Sequence, residues 1–252
     1  MKRLLFIGNS HLVAVKAAWQ VAVPGGFDVE FFGAPQRAWM RMGMLPDNSF
    51  GVAGDFKRQR QITEQANGKP LVSLDDRDIL VIVGGFSAVE AMADLLADCD
   101  VPDLRDTGAP TLLSEPLFAK ACLALAQGEL PDPGFHNRPP VILGPRPAPA
   151  ESCLTSTNAG YRHWHRLAAA PVGIAEAFDI FDTALTTAMS AKSLTYLAQA
   201  KATRSAIGLT QAQYLAPGGG TQPGEEKKRG DHAHMNQAYG ATVVAQLLTE
   251  LQ

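Results

Sequence analysis

The sequence predicts an α/β fold, a three-layer αβα arrangement around a parallel five-stranded sheet. Short apolar runs alternate with segments of helical periodicity along the 252 residues. Such alternation is typical of strand–helix–strand units, which build parallel sheets covered by helices on both faces. A chain of this length also fits one domain, residues 1–252, with a full hydrophobic core.

Five apolar runs are the predicted strands. The first, Leu4–Ile7, ends at Gly8 and has the length of a buried parallel strand. The full set is Leu4–Ile7, Val29–Phe32, Ile79–Val83, Val141–Leu143 and Phe178–Phe181. Right-handed crossovers place the carboxyl ends of such strands at one edge of the sheet. We therefore expect one crevice lined by the residues that follow the runs, which are Ser10, Gly33, Gly84, Gly85, Gly144 and Pro145.

Helical periodicity is clearest in five segments between and after these runs. They are His11–Ala22, Ala88–Ala97, Leu117–Ala126, Tyr161–Ala169 and Asn236–Leu251. Asn236 is the residue type preferred at a helix N-cap. Residues 183–213 also favour a helix, with a break at Gly208. Long loops are expected at residues 39–68 and 217–230.

The ends of the chain carry the residues on which the functional hypothesis depends. Ser10 is predicted to lie between a strand and a helix, where free N–H groups and the helix dipole favour negative charge. Asp231 and His234 are three residues apart just before the last helix. A hydroxyl needs a neutral imidazole to take its proton, and a carboxylate sets the tautomer of that imidazole. The three residue types together predict a serine nucleophile with its base.

Gly8-Asn9-Ser10 and Asp231-His232-Ala233-His234 resemble the first and last sequence blocks of the SGNH/GDSL hydrolase superfamily. The resemblance implies a flavodoxin-like strand order, with Ser10 as nucleophile, His234 as base and Asp231 as orienting acid. It also implies that the N–H groups of Ser10 and Gly33 form an oxyanion hole. The sequence departs from the family in two places, because Asn9 stands where Asp is usual and the third block, G-x-N, lacks its Asn. Ser87 has G-x-N spacing from Gly85 and is the expected third donor, with the backbone of residues 84–86 as the alternative.

Other polar residues near the predicted crevice could have a functional or a structural role. His11 is expected to contact the substrate or to be structural, because adjacent residues on a helix point in different directions. Arg146 follows a predicted strand and could bind an anionic or sugar-hydroxyl group, or pair with a surface carboxylate. The pairs His163-x-His165 and His232-x-His234 lack the spacing of a helical zinc motif. We expect no metal and no cofactor.

Composition excludes several classes of function. The net charge of −3 and the absence of a long basic stripe argue against a nucleic-acid partner. The three cysteines are odd in number and show no C-x-x-C spacing, which argues against disulfides and zinc sites. No run is long and apolar enough to span a membrane. A cytoplasmic protein is therefore expected, with its oligomeric state open.

These observations predict a serine esterase that cleaves a short O-acyl ester of a carbohydrate or another polar alcohol through an acyl-enzyme. Both the short acyl group and the carbohydrate come from the resemblance, because the family often handles such substrates. Two alternatives stay open at this point. One is an O-acyltransferase of the same fold, in which a sugar hydroxyl replaces water. The other is a non-catalytic binding protein, which the missing Asn would favour.

Overall fold

The first half of the chain builds three strands of the central sheet and a small antiparallel sheet beside it. A computed structural model describes residues 1–85, 88–136, 141–144, 146–218 and 230–251. In chain order the elements are β1 (Lys2–Gly8), α1 (Leu12–Ala22), β2 (Phe27–Gly33), α2 (Gln36–Trp39), β3 (Met42–Met44), β4 (Ser49–Val52), α3 (Lys57–Asn67), β5 (Leu71–Ser73) and β6 (Ile79–Val83).

The second half adds most of the covering helices. Its elements are α4 (Ala88–Asp98), β7 (Cys99–Asp100), β8 (Thr111–Leu112), α5 (Glu115–Gly128), β9 (Val141–Gly144), α6 (Arg162–Ala169), α7 (Ile174–Ser190), β10 (Leu194–Tyr196) and α8 (Gln237–Glu250). Short 3₁₀ turns lie between them, including Glu151–Thr155, Ala159–Tyr161 and Ala212–Tyr214.

The central sheet is all parallel, with strand order β2-β1-β6-β9-β10. Its two faces are covered by different helices. Leu4, Phe6 and Val81 pack with α1 and α8 on one face, whereas Leu5, Ile7 and Ile82 pack on the other in a core that includes residues of α4, α5, α6 and α7. This alternation along each strand produces the three-layer αβα arrangement that the sequence predicts.

The strand order places Ser10 at a topological switch point. After β1 the chain forms β2 on one side, and β6 later pairs on the other side of β1. In the register, Gly8 is opposite both Gly33 and Val83, and Val83 is opposite Gly144. A crevice opens at the carboxyl ends of strands where such an order reverses. The turn that carries Ser10 borders that crevice.

Three sequence predictions are wrong. Phe178–Phe181 is part of α7, whose buried residues Ile174, Ala177, Phe181 and Leu185 recur at helical spacing, and the fifth strand is β10. A short apolar run cannot by itself distinguish a strand from a buried helix segment. The helix expected over 183–213 ends at Ser190 and is followed by β10 and short 3₁₀ turns. The loop expected at 39–68 contains β3, β4 and α3.

The other expected helices form, with ends shifted by at most two residues, and Asn236 is the N-cap of α8, where its side chain accepts the N–H of Tyr239. Of the loop expected at 217–230, the structure describes only Pro217, Gly218 and Gly230. Within the described ranges, no helix has the length and apolarity needed to cross a membrane.

Candidate active site

Ser10, His234 and Asp231 form a continuous hydrogen-bonded chain. The Oγ of Ser10 lies 2.7 Å from Nε2 of His234, and Nδ1 of His234 lies 2.7 Å from Oδ2 of Asp231. Ser10 follows β1, whereas Asp231 and His234 precede α8. The positions of the serine and the histidine differ by 224 in the sequence. The packing of α1 against α8 on one face of the sheet brings the two ends of the chain together.

The turn that carries Asp231 and His234 is fixed by its own hydrogen bonds. Oδ1 of Asp231 accepts the N–H groups of Ala233 and His234, both at 3.1 Å. Burial acts to raise the pKa of Asp231, but these hydrogen bonds and that from the His234 ring outweigh it, so the pKa of this carboxyl is lowered. Asp231 is therefore a carboxylate at neutral pH. Both side chains are about two-fifths exposed, at 44% and 43%, so the pair is open to solvent.

His232 holds the same turn in place through contacts with the protein interior. Its side chain is buried, and Nδ1 lies 2.8 Å from the Oγ of Ser152. The ring is perpendicular to that of Tyr161, with 5.3 Å between the two ring centroids. Its carbonyl oxygen accepts the N–H of Ala150 at 2.7 Å. Burial lowers the pKa of His232. His234 thus faces Ser10, whereas His232 is buried against Ser152 and Tyr161. Nothing in the sequence pattern marks Ser152 or Tyr161 as residues that support this turn.

Asn9 fixes the turn that presents Ser10. Its buried amide donates from Nδ2 to the carbonyl of Gly84 at 2.5 Å, and its Oδ1 accepts the N–H of His11 at 3.0 Å. Gly84 has a φ of +75°, and a Cβ there would lie 2.4 Å from Oδ1 of Asn9. Only glycine fits this position. Asn9 therefore connects the β1–α1 turn to the β6–α4 turn.

Gly33, one of the expected oxyanion donors, already has a partner. Its N–H donates to Oδ1 of Asn67 at 2.9 Å, and its carbonyl accepts Nδ2 of Asn67 at 2.8 Å. The next N–H, that of Ala34, donates to Gly8 in β1. Because successive N–H groups of a strand point in opposite directions, that of Gly33 is directed away from β1. Contact between Gly33 and an oxyanion would require the Asn67 oxygen to be displaced.

Of the other expected oxyanion donors, Ser10 is described by the structure and Ser87 is not. Within the described ranges, the N–H of Ser10 has no hydrogen-bond acceptor. A free N–H on the nucleophile itself is a recurrent component of oxyanion holes. Ser87, the expected third donor, lies outside the described residues, as does Phe86.

His11 lies beside the proposed base. Its ring is stacked on that of His234, with 5.5 Å between centroids, and Nδ1 is a buried atom without a hydrogen-bond partner. Burial, followed by the charges of Arg146 and His234, lowers the pKa of His11 to about 3. The ring is therefore neutral at physiological pH. His11 borders the site, and nothing in its contacts makes it a base for Ser10.

Arg146 follows β9 at the same edge of the sheet and is half-buried. Its charge lowers the pKa of His11. It also opposes the rise that burial causes in the pKa of Tyr161. Both neighbours belong to the candidate site, because His11 is stacked on His234 and Tyr161 contacts the turn through His232. Pro145, the residue between β9 and Arg146, lies outside the described residues.

Ser10 borders an apolar cavity of about 300 Å³ on the β2 side of the site. Its walls come from α1, the end of β2 and the end of α3, and include Leu12, Val13, Lys16, Phe31, Ala34, Pro35 and Ala66. A second cavity of about 250 Å³ begins at Gly85 and extends between Trp39, Phe50 and Phe135. The first cavity is apolar and lies beside the hydroxyl of Ser10, so it has room for an acyl group bound there.

The described part of the chain contains no group of three His, Cys, Asp or Glu side chains placed to hold a metal ion. The geometry therefore offers a hydroxyl, an imidazole and a carboxylate in series, with an apolar cavity beside the hydroxyl. The N–H of Ser10 has no acceptor among the described residues. A scan against protein-family models finds no match for this chain, and a search of the curated proteins finds no similar sequence.

Proposed function

We propose that this protein is a serine ester hydrolase of the SGNH type, which cleaves a short acyl ester through an acyl-enzyme. The observation that carries the proposal is the hydrogen-bonded series from Ser10 through His234 to Asp231, with 2.7 Å at both contacts. This geometry is suited to moving one proton from the hydroxyl to Nε2 while the carboxylate stabilises the resulting imidazolium. The two end motifs and the strand order add to the argument.

In the proposed mechanism, Oγ of Ser10 attacks the ester carbonyl carbon as its proton passes to Nε2 of His234. The N–H of Ser10 stabilises the oxyanion. The bond to the alcohol then breaks, and His234 returns the proton to the departing alkoxide. Water, activated by the same imidazole, releases the acid and regenerates Ser10. The apolar cavity bordered by Ser10 accepts the acyl chain, and a carbohydrate or another polar alcohol is the proposed leaving group.

The test combines covalent labelling with turnover. We expect a fluorophosphonate probe to label Ser10, identified by peptide mass spectrometry, and p-nitrophenyl acetate to be hydrolysed faster than longer esters. Ser10→Ala should abolish both, whereas Ser190→Ala, at an exposed serine of α7, should change neither. Asp231→Asn should lower turnover by about 10²- to 10⁴-fold, because the wrong imidazole tautomer then faces the serine. Labelling at any serine other than Ser10 would contradict the proposal.

One observation favours a non-catalytic binding protein as the second candidate. The N–H of Gly33 is engaged by Asn67, so that of the two donors expected from Ser10 and Gly33 the N–H of Ser10 is the one without an acceptor among the described residues. Loss of one donor costs about 10²- to 10³-fold in turnover. Absence of both labelling and hydrolysis in the folded protein would favour this candidate. Acyl transfer to an added sugar in place of hydrolysis would instead identify the acyltransferase.

A further inference from the structure

Arg146 differs from the other arginines that are removed from solvent. Five described arginines are buried or half-buried, and four of them have partners. Arg77 pairs with Glu30, Arg204 binds Asp182 through two nitrogens, Arg105 donates to the carbonyls of Ala170 and Val172, and Arg60 donates to that of Val52. Within the described ranges, the guanidinium of Arg146 makes no hydrogen bond or salt bridge. A half-buried guanidinium usually has one, because its five donors are costly to leave unpaired.

The backbone around Arg146 holds it at the candidate site. The N–H of Gly84 donates to the carbonyl of Gly144 at 3.2 Å, which joins the end of β9 to the turn after β6. Four residues after Arg146, the N–H of Ala150 donates to the carbonyl of His232 in the turn that carries the proposed base. Arg146 thus lies on a short segment fixed at both ends to elements of the site.

The site is divided by the order of the strands. The apolar cavity bordered by Ser10 lies on the β2 side, formed by α1, β2 and α3. Arg146 follows β9, on the opposite side of β1 and beyond β6. An ester bound at Ser10 with its acyl chain in the cavity therefore extends its alcohol towards β6 and β9. The alcohol half of the substrate is the part that Arg146 can reach.

We propose that Arg146 binds an oxyanion, a carboxylate or a tetrahedral sulfate-like or phosphate-like group, carried by the alcohol half of the ester. This inference rests on the proposed function and specifies its substrate as an anionic ester. A guanidinium fork matches such groups with two parallel hydrogen bonds. His11 is neutral at physiological pH, whereas Arg146 brings a positive charge to this side of Ser10.

The test compares acetate esters of matched size that differ in charge. The wild-type protein is assayed with p-acetoxybenzoate, p-acetoxybenzenesulfonate and the neutral p-acetoxybenzamide. We expect kcat/KM for at least one anionic ester to exceed that for the amide by about tenfold or more, which corresponds to one charge-assisted contact. The better of the two anions distinguishes a carboxylate from a tetrahedral group. Raising ionic strength from about 0.02 M to about 0.3 M should reduce the preference.

The variants assign the preference to Arg146. In Arg146→Gln the ratio of anionic to neutral kcat/KM should fall to about one, and Arg146→Lys should keep part of it. Lys192→Gln removes the same charge from an exposed residue that precedes β10, at the opposite edge of the sheet, and should keep the wild-type ratio. The readout is a ratio within each variant, so a general loss of folded protein does not alter it. An equal ratio in wild type and Arg146→Gln would overturn the proposal.

A binding measurement separates this inference from the proposed function. Ser10→Ala protein is titrated with p-acetoxybenzoate, p-acetoxybenzenesulfonate and p-acetoxybenzamide, with and without Arg146→Gln. Stronger binding of an anionic ester that disappears in the double variant supports the anion site even if the wild-type protein hydrolyses nothing and is not labelled. Equal binding of all three esters by Ser10→Ala overturns the anion site, whatever the result of the labelling experiment.

Discussion

At the scale of single residues, the site separates its titratable groups by environment. Asp231 is held ionised by N–H donors that outweigh the effect of burial, whereas His11 is held neutral because burial dominates and Arg146 adds to it. His234, between them, contacts one group of each kind. Opposite shifts on adjacent groups are common where proton transfer is organised. In the proposed mechanism they leave His234 as the group that exchanges the proton.

The lowered pKa of His11 predicts a dependence of stability on pH. Between its usual value of about 6.5 and the folded value of about 3, the unfolded chain binds a proton that the folded protein does not. Stability is therefore greatest above this range and falls as the pH decreases through it. We expect His11→Asn to reduce the slope of unfolding free energy against pH by up to about 1.4 kcal/mol per unit between pH ~4 and ~6.

Urea unfolding of wild type and His11→Asn at several pH values measures this slope. His232 also has a lowered pKa and contributes with the same sign in both proteins, so the difference between the two curves is the relevant quantity. A variant with the wild-type slope would show that His11 is not held neutral in the fold.

At the scale of elements, one side chain joins α3 to the edge of the central sheet. Asn67, the last residue of α3, accepts the N–H of Gly33 and donates to the carbonyls of Gly33 and Thr63. Its amide thus pairs with both the N–H and the carbonyl of Gly33 at the outer side of the sheet. This contact also holds one wall of the cavity that Ser10 borders.

Replacement of Asn67 should destabilise the protein for reasons that two variants can separate. We expect Asn67→Ala to lower the free energy of unfolding by about 1–3 kcal/mol, because the N–H and the carbonyl of Gly33 both lose the hydrogen bonds to the Asn67 side chain. Asn67→Asp should cost at least as much, since a carboxylate oxygen would then face the Gly33 and Thr63 carbonyls. Gln61→Ala, at an exposed position of α3, is the matched control in urea unfolding. Wild-type stability in Asn67→Ala would contradict the structural role.

At the scale of the whole molecule, the site depends on the close packing of α1 against α8. A Cβ on Gly240 of α8 would lie 2.0 Å from the carbonyl oxygen of Ala14 in α1. Ser10 precedes α1 and His234 precedes α8, so the spacing of these helices sets the contact between the two side chains. The contact between Ser10 and His234 therefore requires a residue without a side chain at position 240.

Gly240→Ala tests this coupling. Although alanine favours a helix more than glycine does, the clash with backbone should lower the free energy of unfolding by about 1–3 kcal/mol. Ester turnover and fluorophosphonate labelling should fall by about tenfold or more, because small displacements of a catalytic pair are costly. Gly25→Ala, where a Cβ meets nothing within 4 Å, is the control and should match wild type in both assays. Unchanged stability in Gly240→Ala would contradict the close packing.

The sequence by itself determined the features that depend on neighbours along the chain. The strands β1, β2, β6 and β9, the N-cap at Asn236 and the three residues that meet at the site were all identified from local patterns. Each pattern has a local physical cause, such as an apolar run that must be buried or a side chain that caps a helix. The run at Phe178–Phe181 was wrongly predicted to be a strand. Four residues are too few to distinguish the two-residue period of a strand from the 3.6-residue period of a helix, and only the full length of α7 does so.

Only the tertiary structure decided what depends on distant segments. The distance between Ser10 and His234 follows from the packing of α1 on α8, and the engagement of the Gly33 N–H follows from the position of Asn67 at the end of α3. The support of the turn by Ser152 and Tyr161 has the same origin. The same holds for the lack of a partner for the Arg146 guanidinium among the described residues. A side chain's partner is set by which surfaces the fold brings together, and sequence spacing carries no measure of that distance.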